Sequence, residues 1–189
     1  FFGMIWLGKG LNFLLDAFAL TRRRVPDAYF YIGGYIRNRQ LDLLAQLAYL
    51  KLKIRFLGLA RHSGMWGDYV PDELVPDVYS AADVVAMPYR QDFSSVSGVV
   101  HQAAGMGRLM VCSRISKFEE VGEGVSPELL VDPYDRKAWA RTMERLLTDA
   151  EWAGSMREKI GEFARRTSWE AVGGQHVEMY RKLLEGSRT

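Results

Sequence analysis

One stretch, from Pro88 to Val111, constrains this chain more than any other. It follows an apolar run, Val84–Met87, that is typical of a buried strand, and it leads through a short polar loop to a Ser97-Gly98 pair that opens a helix. The first turn of a helix leaves backbone N–H groups unpaired and carries the positive end of the helix dipole. Because Gly98 has no Cβ, an anion can approach this backbone closely. The pattern predicts a nucleotide diphosphate held at the carboxyl edge of a parallel sheet.

Short apolar segments alternate with helix-like segments as far as Val131, and the rest of the sequence is helical. Continuous apolar strands that are each followed by a helix are typical of a parallel sheet covered on both faces. We therefore predict an α/β fold: a Rossmann-like, doubly wound parallel sheet of about six strands, with helices on both faces and a helical C-terminal tail. The predicted strands are Phe1–Ile5, Ala28–Ile32, Ile54–Leu57, Asp83–Met87, Leu109–Cys112 and Leu129–Val131.

Apolar residues recur at helical spacing between these strands and throughout the tail. The final helix is substantially apolar, so we expect part of it to be exposed as a patch that favours self-association. The predicted helices are Leu11–Arg22, Arg39–Leu50, Pro71–Ala81, Ser97–Gly107, Asp135–Thr148, Ala150–Arg166 and Trp169–Glu185.

Length and composition restrict the class of protein. The 189 residues are enough for one domain, residues 1–189, which we interpret as one half of a two-domain protein. A net charge of +2 is too small to indicate nucleic acid or an anionic membrane surface as a partner. No apolar run is long enough to span a bilayer, and the single cysteine, Cys112, excludes an internal disulfide. The sequence begins without Met inside a strand-like segment, which indicates a piece of a longer protein.

Loops that follow predicted strands contain most of the candidate binding residues. In a doubly wound sheet, ligands bind outside the carboxyl ends of the strands, so these loops are expected to converge. Gly33, Gly34 and Gly58 would allow close backbone approach of a ligand there, although a simple tight turn explains the Gly33-Gly34 pair equally well.

The segment from Gly3 to Gly10 is a near miss for a nucleotide-triphosphate P-loop. Its glycines and Lys9 have the required spacing, but the Ser or Thr that should follow the lysine and bind Mg²⁺ is Gly10. This difference disfavours an NTPase, which would bind ATP with Mg²⁺. Lys9 still precedes a helix at the edge of the sheet, where it either faces a ligand or is simply solvated.

Other polar residues suggest binding rather than a metal site. Gln102 lies one turn beyond Gly98 on the same helix face, where it can reach a ribose. His62, His101 and His176 have no partners at metal-ligand spacing, so we predict neither a metal site nor a cofactor.

Taken together, these segments resemble a known family: the C-terminal, donor-binding half of the retaining GT-B glycosyltransferases of group 1 (family 4). The resemblance covers essentially the whole chain in order, and it rests on several motifs in register rather than on one. These are Phe2-Gly3 with Lys9-Gly10-Leu11, Tyr31-Ile32-Gly33-Gly34, Phe56-Leu57-Gly58, Val70-Pro71-Asp72-Glu73, Ala81-Ala82-Asp83, Met87-Pro88-Tyr89-Arg90, Ser97-Gly98-Val99, Val131-Asp132-Pro133 and Ser168-Trp169-Glu170.

The resemblance implies roles for individual residues. Lys9, Ser97, Gly98 and Val99 would bind the donor diphosphate, and the residues after Gly58 would lie near the base.

Two glutamates of the family have no counterpart here. Gln102 stands where the second of them holds the ribose, and Ser94 stands where the first faces the donor sugar. Asp92 or Ser95 would serve instead of Ser94 if the loop has a different register.

The resemblance also implies an activity and its surroundings. We expect a cytoplasmic hexosyltransferase-type glycosyltransferase that uses a nucleotide-diphospho-sugar without metal and retains anomeric configuration. Its N-terminal acceptor domain, or a partner chain in its place, is missing from this sequence, so the isolated chain is expected to bind donor without transferring sugar.

The sequence departs from the family in ways that favour an alternative. Met4 stands where many members have an arginine, and Ser94 and Gln102 replace the two glutamates. Exchanging a charged hydrogen bond for a neutral one at Gln102 predicts donor binding weaker by about tenfold. The alternative is a non-catalytic nucleotide-sugar-binding or partner module derived from such a domain.

Overall fold

The structure is a computed structural model that describes residues 1–35, 41–91 and 96–186. Five parallel strands in these ranges form two sheets, which pair β1 with β2 and arrange the other three in the order β3-β4-β5. The strands are β1 Phe30–Gly33, β2 Ser63–Trp66, β3 Val84–Met87, β4 Leu109–Ser113 and β5 Leu130–Val131. The α-helices are α1 Leu11–Thr21, α2 Leu41–Phe56, α3 Val75–Ser80, α4 Gly98–Gly105, α5 Glu119–Gly124, α6 Arg136–Thr148, α7 Ala150–Arg166 and α8 Trp169–Gly186.

The predicted α/β class with parallel strands and covering helices is confirmed, but the single sheet of about six strands is wrong. The segment Phe1–Ile5, predicted as a strand, makes one isolated parallel bridge between Phe2 and Gly33. Gly3 has a φ of 110°, which is outside the extended region, so the segment is not a regular strand, although the N–H of Ile5 still donates to the carbonyl oxygen of Tyr35 at 2.8 Å. Residues 1–5 therefore do not join the two sheets.

The second correction concerns Ile54–Leu57, which is not a strand. Helix α2 continues to Phe56, and the strand that pairs with β1 lies later, at Ser63–Trp66. Leu50 and Ile54 are buried and lie four residues apart, whereas Phe56 is exposed, which is the burial pattern of a helix. Gly58, with a φ of 70°, ends the helix in the left-handed conformation that glycine adopts most easily.

One buried core extends across both sheets and the helices around them. All five residues of β4 are buried, as expected for a central strand of a covered parallel sheet. Phe13 of α1 meets the ring of Trp139 of α6 edge-on, with centroids 6.1 Å apart. The indole N–H of Trp139 donates to the carbonyl oxygen of Asp132 at 3.0 Å, so this buried side chain is fully satisfied.

Two aspartates fix the helical tail where the sequence predicted it. The Asp135 carboxylate accepts hydrogen bonds from the first backbone N–H groups of α6, and the Asp149 carboxylate does the same for α7. The final helix, α8, then leaves a stripe of apolar side chains on the surface. Val177, Tyr180 and Leu184 are 49%, 56% and 68% exposed, and Trp169 at its start is 93% exposed.

A mainly apolar cavity of about 690 Å³ lies between β1 and β3. Its walls include Phe30 and Val84 from the two strands, and Phe1 lies at its border. The backbone nitrogen of Phe1 donates to the carbonyl oxygen of Tyr31 at 3.0 Å.

Candidate functional site

The residues predicted from the sequence gather mostly at the carboxyl edge of the strands. Because β1 and β2 run parallel, Gly33 and Trp66 end at the same edge of their sheet. The carboxyl end of β3 at Met87 leads directly into Pro88, Tyr89 and Arg90. Ligands of open α/β sheets bind outside this edge, so the loops that follow these strands form the candidate binding site.

The loop that carries Lys9 packs directly on the segment that follows β3. The backbone N–H of Arg90 donates to the carbonyl oxygen of Gly8 at 2.9 Å. Gly10 has a φ of 68°, and a Cβ at this position would collide with the carbonyl oxygen of Pro88. Only glycine allows this approach, which places Lys9 next to Tyr89.

Lys9 is partly buried over an aromatic ring. Its Nζ lies 3.6 Å from the centroid of the Tyr89 ring, a cation–π contact. Burial, together with the nearby positive charge of Lys117, lowers the pKa of Lys9 to about 8. Within the described ranges, no carboxylate lies within 4.0 Å of the Lys9 ammonium. Among the described residues, Lys9 therefore has no ion-pair partner.

The start of α4 lies near the hydroxyl of the same tyrosine. Ser97 precedes the helix and is 4% exposed. It lies close enough to the Tyr89 hydroxyl to influence the pKa of the phenol, although the two do not form a hydrogen bond of normal geometry. Gly98 is exposed, and the space beside its Cα is open. Gly98 and Val99 belong to the first turn, so their N–H groups have no partner within the helix.

Gln102 points outward one turn further along α4. It is exposed, and its Oε1 accepts a hydrogen bond from the Tyr79 hydroxyl at 3.1 Å. Tyr79 is otherwise buried, and burial raises the pKa of its phenol, which therefore stays protonated as the donor. The amide NH₂ of Gln102 can then donate to a ligand.

Gly33 and Gly34 lie at the predicted edge, but they contact the chain itself. The N–H of Gly3 donates to the carbonyl oxygen of Gly33 at 2.9 Å, and a Cβ on Gly34 would collide with the carbonyl oxygen of Gly3. Gly3 in turn lies near Val99 of α4, because a Cβ added to Gly3 would be 3.9 Å from a methyl group of that valine. The two glycines therefore let the first loop pack against β1 and reach the start of α4.

Gly58 is not at this edge. Its assignment rested on a strand at Ile54–Leu57, and that strand is helix α2. Gly58 ends α2 and precedes the amino end of β2, so it lies at the opposite edge of the sheet from Gly33. The sequence misassigned it because an apolar run before a glycine is typical of both elements.

Three further candidates, Asp92, Ser94 and Ser95, lie outside the described residues. Nothing in the described structure bears on which of them faces a donor sugar.

Sequence reasoning missed two residues of this site, Tyr89 and Lys117. Tyr89 is 2% exposed and contacts both Lys9 and Phe118. Lys117 follows β4 in a short 3₁₀ turn, Ser116–Phe118, and brings a second positive charge near Lys9. The Pro88-Tyr89 exit from β3 was the one visible signal for the tyrosine, whereas nothing in the sequence distinguishes Lys117 from a solvated lysine.

Other ionisable side chains near α4 make local contacts. The Nε2 of His101 lies 3.4 Å from a carboxylate oxygen of Glu120, and its ring stacks on Phe163. Cys112 is fully buried, and burial raises its thiol pKa. Among residues 1–35, 41–91 and 96–186, no group of three or more His, Cys, Asp or Glu side chains could hold a metal ion. In the same ranges, no helix has the length and apolar character needed to cross a bilayer.

The chain is similar to a known protein family and to several known proteins. Residues 1–149 match the family described as "Glycosyl transferases group 1". A D-inositol 3-phosphate glycosyltransferase of Corynebacterium urealyticum is 35% identical over 192 aligned residues. The alignment covers 97% of this chain but only 42% of that protein, so the chain spans less than half the length of this relative.

Solved structures show the same fold. The C-terminal domain of a glycosyl transferase group 1 family protein from Francisella tularensis superposes with a TM-score of 0.73 at 18% identity, over 88% of this chain and 83% of that one. An Anabaena protein crystallised with UDP-glucose superposes with a TM-score of 0.75 at 18% identity, over 96% of this chain and 47% of that one.

Proposed function

The chain belongs to the Glycosyl transferases group 1 family, and on that premise we propose that residues 1–189 are the donor-binding domain of a glycosyltransferase. The domain would bind a nucleotide-diphospho-sugar and serve a transfer that retains the anomeric configuration. The acceptor would be held by an N-terminal domain or by a partner chain, and the reaction would take place in the cytoplasm. The length of the relatives supports this division, because the chain matches only 42% of the C. urealyticum protein.

The observation that carries the proposal is the position of Lys9. The Lys9 ammonium is partly buried and has a lowered pKa, and no carboxylate of the described chain lies within reach of it. Such a group is suited to bind an anion. Tyr89 connects it to the start of α4, where the first N–H groups and the helix dipole also favour negative charge. Two independent sources of positive potential therefore flank one ring.

This arrangement supports transfer by electrostatic stabilisation. When the bond between the sugar C1 and the diphosphate oxygen breaks, its electron pair leaves with the diphosphate. Lys9 and the N–H groups of Gly98 and Val99 would stabilise the negative charge that develops on this leaving group. Ser97, the residue before the helix, would contribute to the same diphosphate site. We propose that these groups perform the task without a metal ion.

Gln102 would bind the ribose through its amide NH₂. The Tyr79 hydroxyl donates to the Oε1 atom, so the side chain is oriented and its NH₂ can donate to a ribose oxygen. A neutral donor of this kind contributes less than the carboxylate that the resemblance places here, which is consistent with weak donor binding.

The surface stripe on α8 fits a domain that is one part of a larger assembly. We propose that the acceptor domain covers the stripe in the whole protein and that a second copy of the chain covers it when residues 1–189 are produced alone.

A non-catalytic binding or partner module is the second candidate. It is favoured by Met4, where a second cation is absent, and by the neutral Gln102. A nucleotide-sugar-binding module would share the nucleotide site with the first candidate, and a partner module would bind no nucleotide. Only the first candidate predicts turnover once an acceptor domain is supplied.

Calorimetric titration with UDP, GDP and ADP, without metal, tests the proposal. UDP comes first because a protein of the same fold was crystallised with UDP-glucose. We expect saturable binding of one nucleotide, weakened about tenfold or more in Lys9→Ala, because a charged hydrogen bond is lost. Lys51→Ala, an exposed lysine on α2, is the matched control and should bind as the wild type does. Absence of binding at millimolar concentration would reject the donor-domain proposal.

A further inference from the structure

Lys9 has an unusual electrostatic environment for a partly buried lysine. Its Nζ contacts the face of Tyr89, and the other charge that acts on it is the like charge of Lys117. The neighbouring cation, Arg90, contacts other rings: its guanidinium carbon lies 4.9 Å from the ring centroid of Phe13 and 4.8 Å from that of Tyr134. Within the described ranges, the Tyr89 ring is therefore the group that favours the charged form of Lys9.

Tyr89 is held rigidly in this position. It is 2% exposed, and the ring of Phe118 packs against it with centroids 5.1 Å apart. Its hydroxyl is buried and makes no hydrogen bond of normal geometry in the described chain. The hydroxyl therefore gains little from its burial, and the contacts of Tyr89 that the structure describes are made mainly by its ring, with Lys9 and Phe118.

We propose that Tyr89 is a positioning residue for the anion site: the face of its ring holds the Lys9 ammonium beside the start of α4 and keeps it charged for a diphosphate. The proposal rests on the proposed function, in which Lys9 binds that diphosphate. An ammonium has three N–H donors, so one side can rest on the ring while the others face the ligand. A cation–π contact of this kind is expected to change affinity by about 3-fold to 30-fold.

Fluorination of the ring separates this role from packing. We would replace Tyr89 by Phe as the reference, and then by mono-, di- and trifluorinated phenylalanine, which progressively weaken the negative face of the ring while nearly keeping its shape. Along this series we expect nucleoside diphosphate affinity to fall stepwise, by about 3-fold to 30-fold at the end, with little change in melting temperature.

The dependence of nucleotide affinity on pH provides a second measurement, which a change in packing alone would not alter. Because the ring favours the charged form, weakening it should lower the pKa of Lys9, and the midpoint of the binding profile should move to lower pH. In a Lys9→Ala background the fluorinated series should give equal affinities. The proposal would be overturned if affinity stayed equal across the series in the protein that retains Lys9. It would also be overturned if affinity fell in the same stepwise way in the Lys9→Ala background.

The ligand-free protein distinguishes this proposal from the proposed function. The pKa of Lys9 can be read directly from the NMR signal of its ε-carbon across the same series. If the reference protein binds no nucleoside diphosphate, the proposed function fails. A pKa of Lys9 that does not fall along the series, with or without nucleotide binding, overturns the inference about Tyr89.

Discussion

Gly10 and Pro88 meet backbone to backbone: a Cβ on Gly10 would occupy the position of the Pro88 carbonyl oxygen. Gly10 also has a φ of 68°, in the left-handed region that favours glycine. This contact joins the loop before α1 to the segment after β3, and it thereby determines where Lys9 lies.

Gly10→Ala should therefore disturb both stability and binding. The left-handed backbone alone costs about 1–2 kcal/mol for alanine, and the collision with Pro88 adds to this cost. Gly58→Ala is the matched control, because Gly58 has a φ of 70° and a Cβ added there would have no atom within 4 Å. We expect chemical denaturation to show a larger loss for Gly10→Ala, and calorimetry to show weaker nucleotide binding only for Gly10→Ala. Equal losses in the two variants would contradict the structure.

Nucleotide affinity should depend on pH through Lys9. The free protein holds this lysine charged below its pKa of about 8, so affinity should be level there. Above this pH the charged fraction falls, and binding must first restore the proton, so affinity should decline. Titrations from about pH 7 to about pH 9 test this, with Lys9→Ala as a control that should lose the decline. A wild-type profile with the same slope as Lys9→Ala would show that Lys9 does not bind the ligand.

Gln102→Glu should strengthen donor binding. A carboxylate can accept from the Tyr79 hydroxyl and from a ribose hydroxyl together, and the charged hydrogen bond should tighten binding by about tenfold. The gain should disappear for the dideoxy analogue of the nucleotide, which has no ribose hydroxyls to donate. An equal gain with both nucleotides would place the ribose elsewhere.

The stripe on α8 should make the isolated chain self-associate. Val177, Tyr180 and Leu184 follow one another on a single helix face and are all at least 49% exposed. Sedimentation analysis should show a dimer or larger species that Leu184→Glu shifts toward monomer. Glu185→Gln, a neighbouring position off the stripe, should leave the distribution unchanged. A monomeric wild type would contradict self-association through this helix.

The parts of the fold that follow from the sequence are those with strong local signals. The buried strands β3 and β4 are continuous apolar runs, and α6 and α7 have aspartate caps with helical periodicity. Their bounds agree with the predictions within a residue.

The errors arose where local signals conflict. The run before Gly58 has the apolar composition of a strand, yet Leu50 and Ile54 pack as successive turns of α2. At residues 1–5 a strand was expected, but Gly3 interrupts the extended conformation. In both places tertiary contacts, rather than composition, decide the outcome.

The candidate site was predictable only in part for the same reason. Lys9 and the Ser97-Gly98 helix start have recognisable patterns, because a glycine before a helix and a lysine before a glycine are local features. The contact of Lys9 with Tyr89 joins segments about 80 residues apart in sequence, and no spacing rule predicts it.

The most direct test of the central claim is to map the nucleotide on the protein by NMR. In a ¹⁵N-labelled sample titrated with the nucleotide that binds in calorimetry, the backbone amides of Gly98 and Val99 should shift with one dissociation constant. The amide of Gly58, at the opposite edge of the sheet, should not move. Shifts that cluster around Gly58 and leave Gly98 and Val99 unchanged would contradict a donor site at the start of α4.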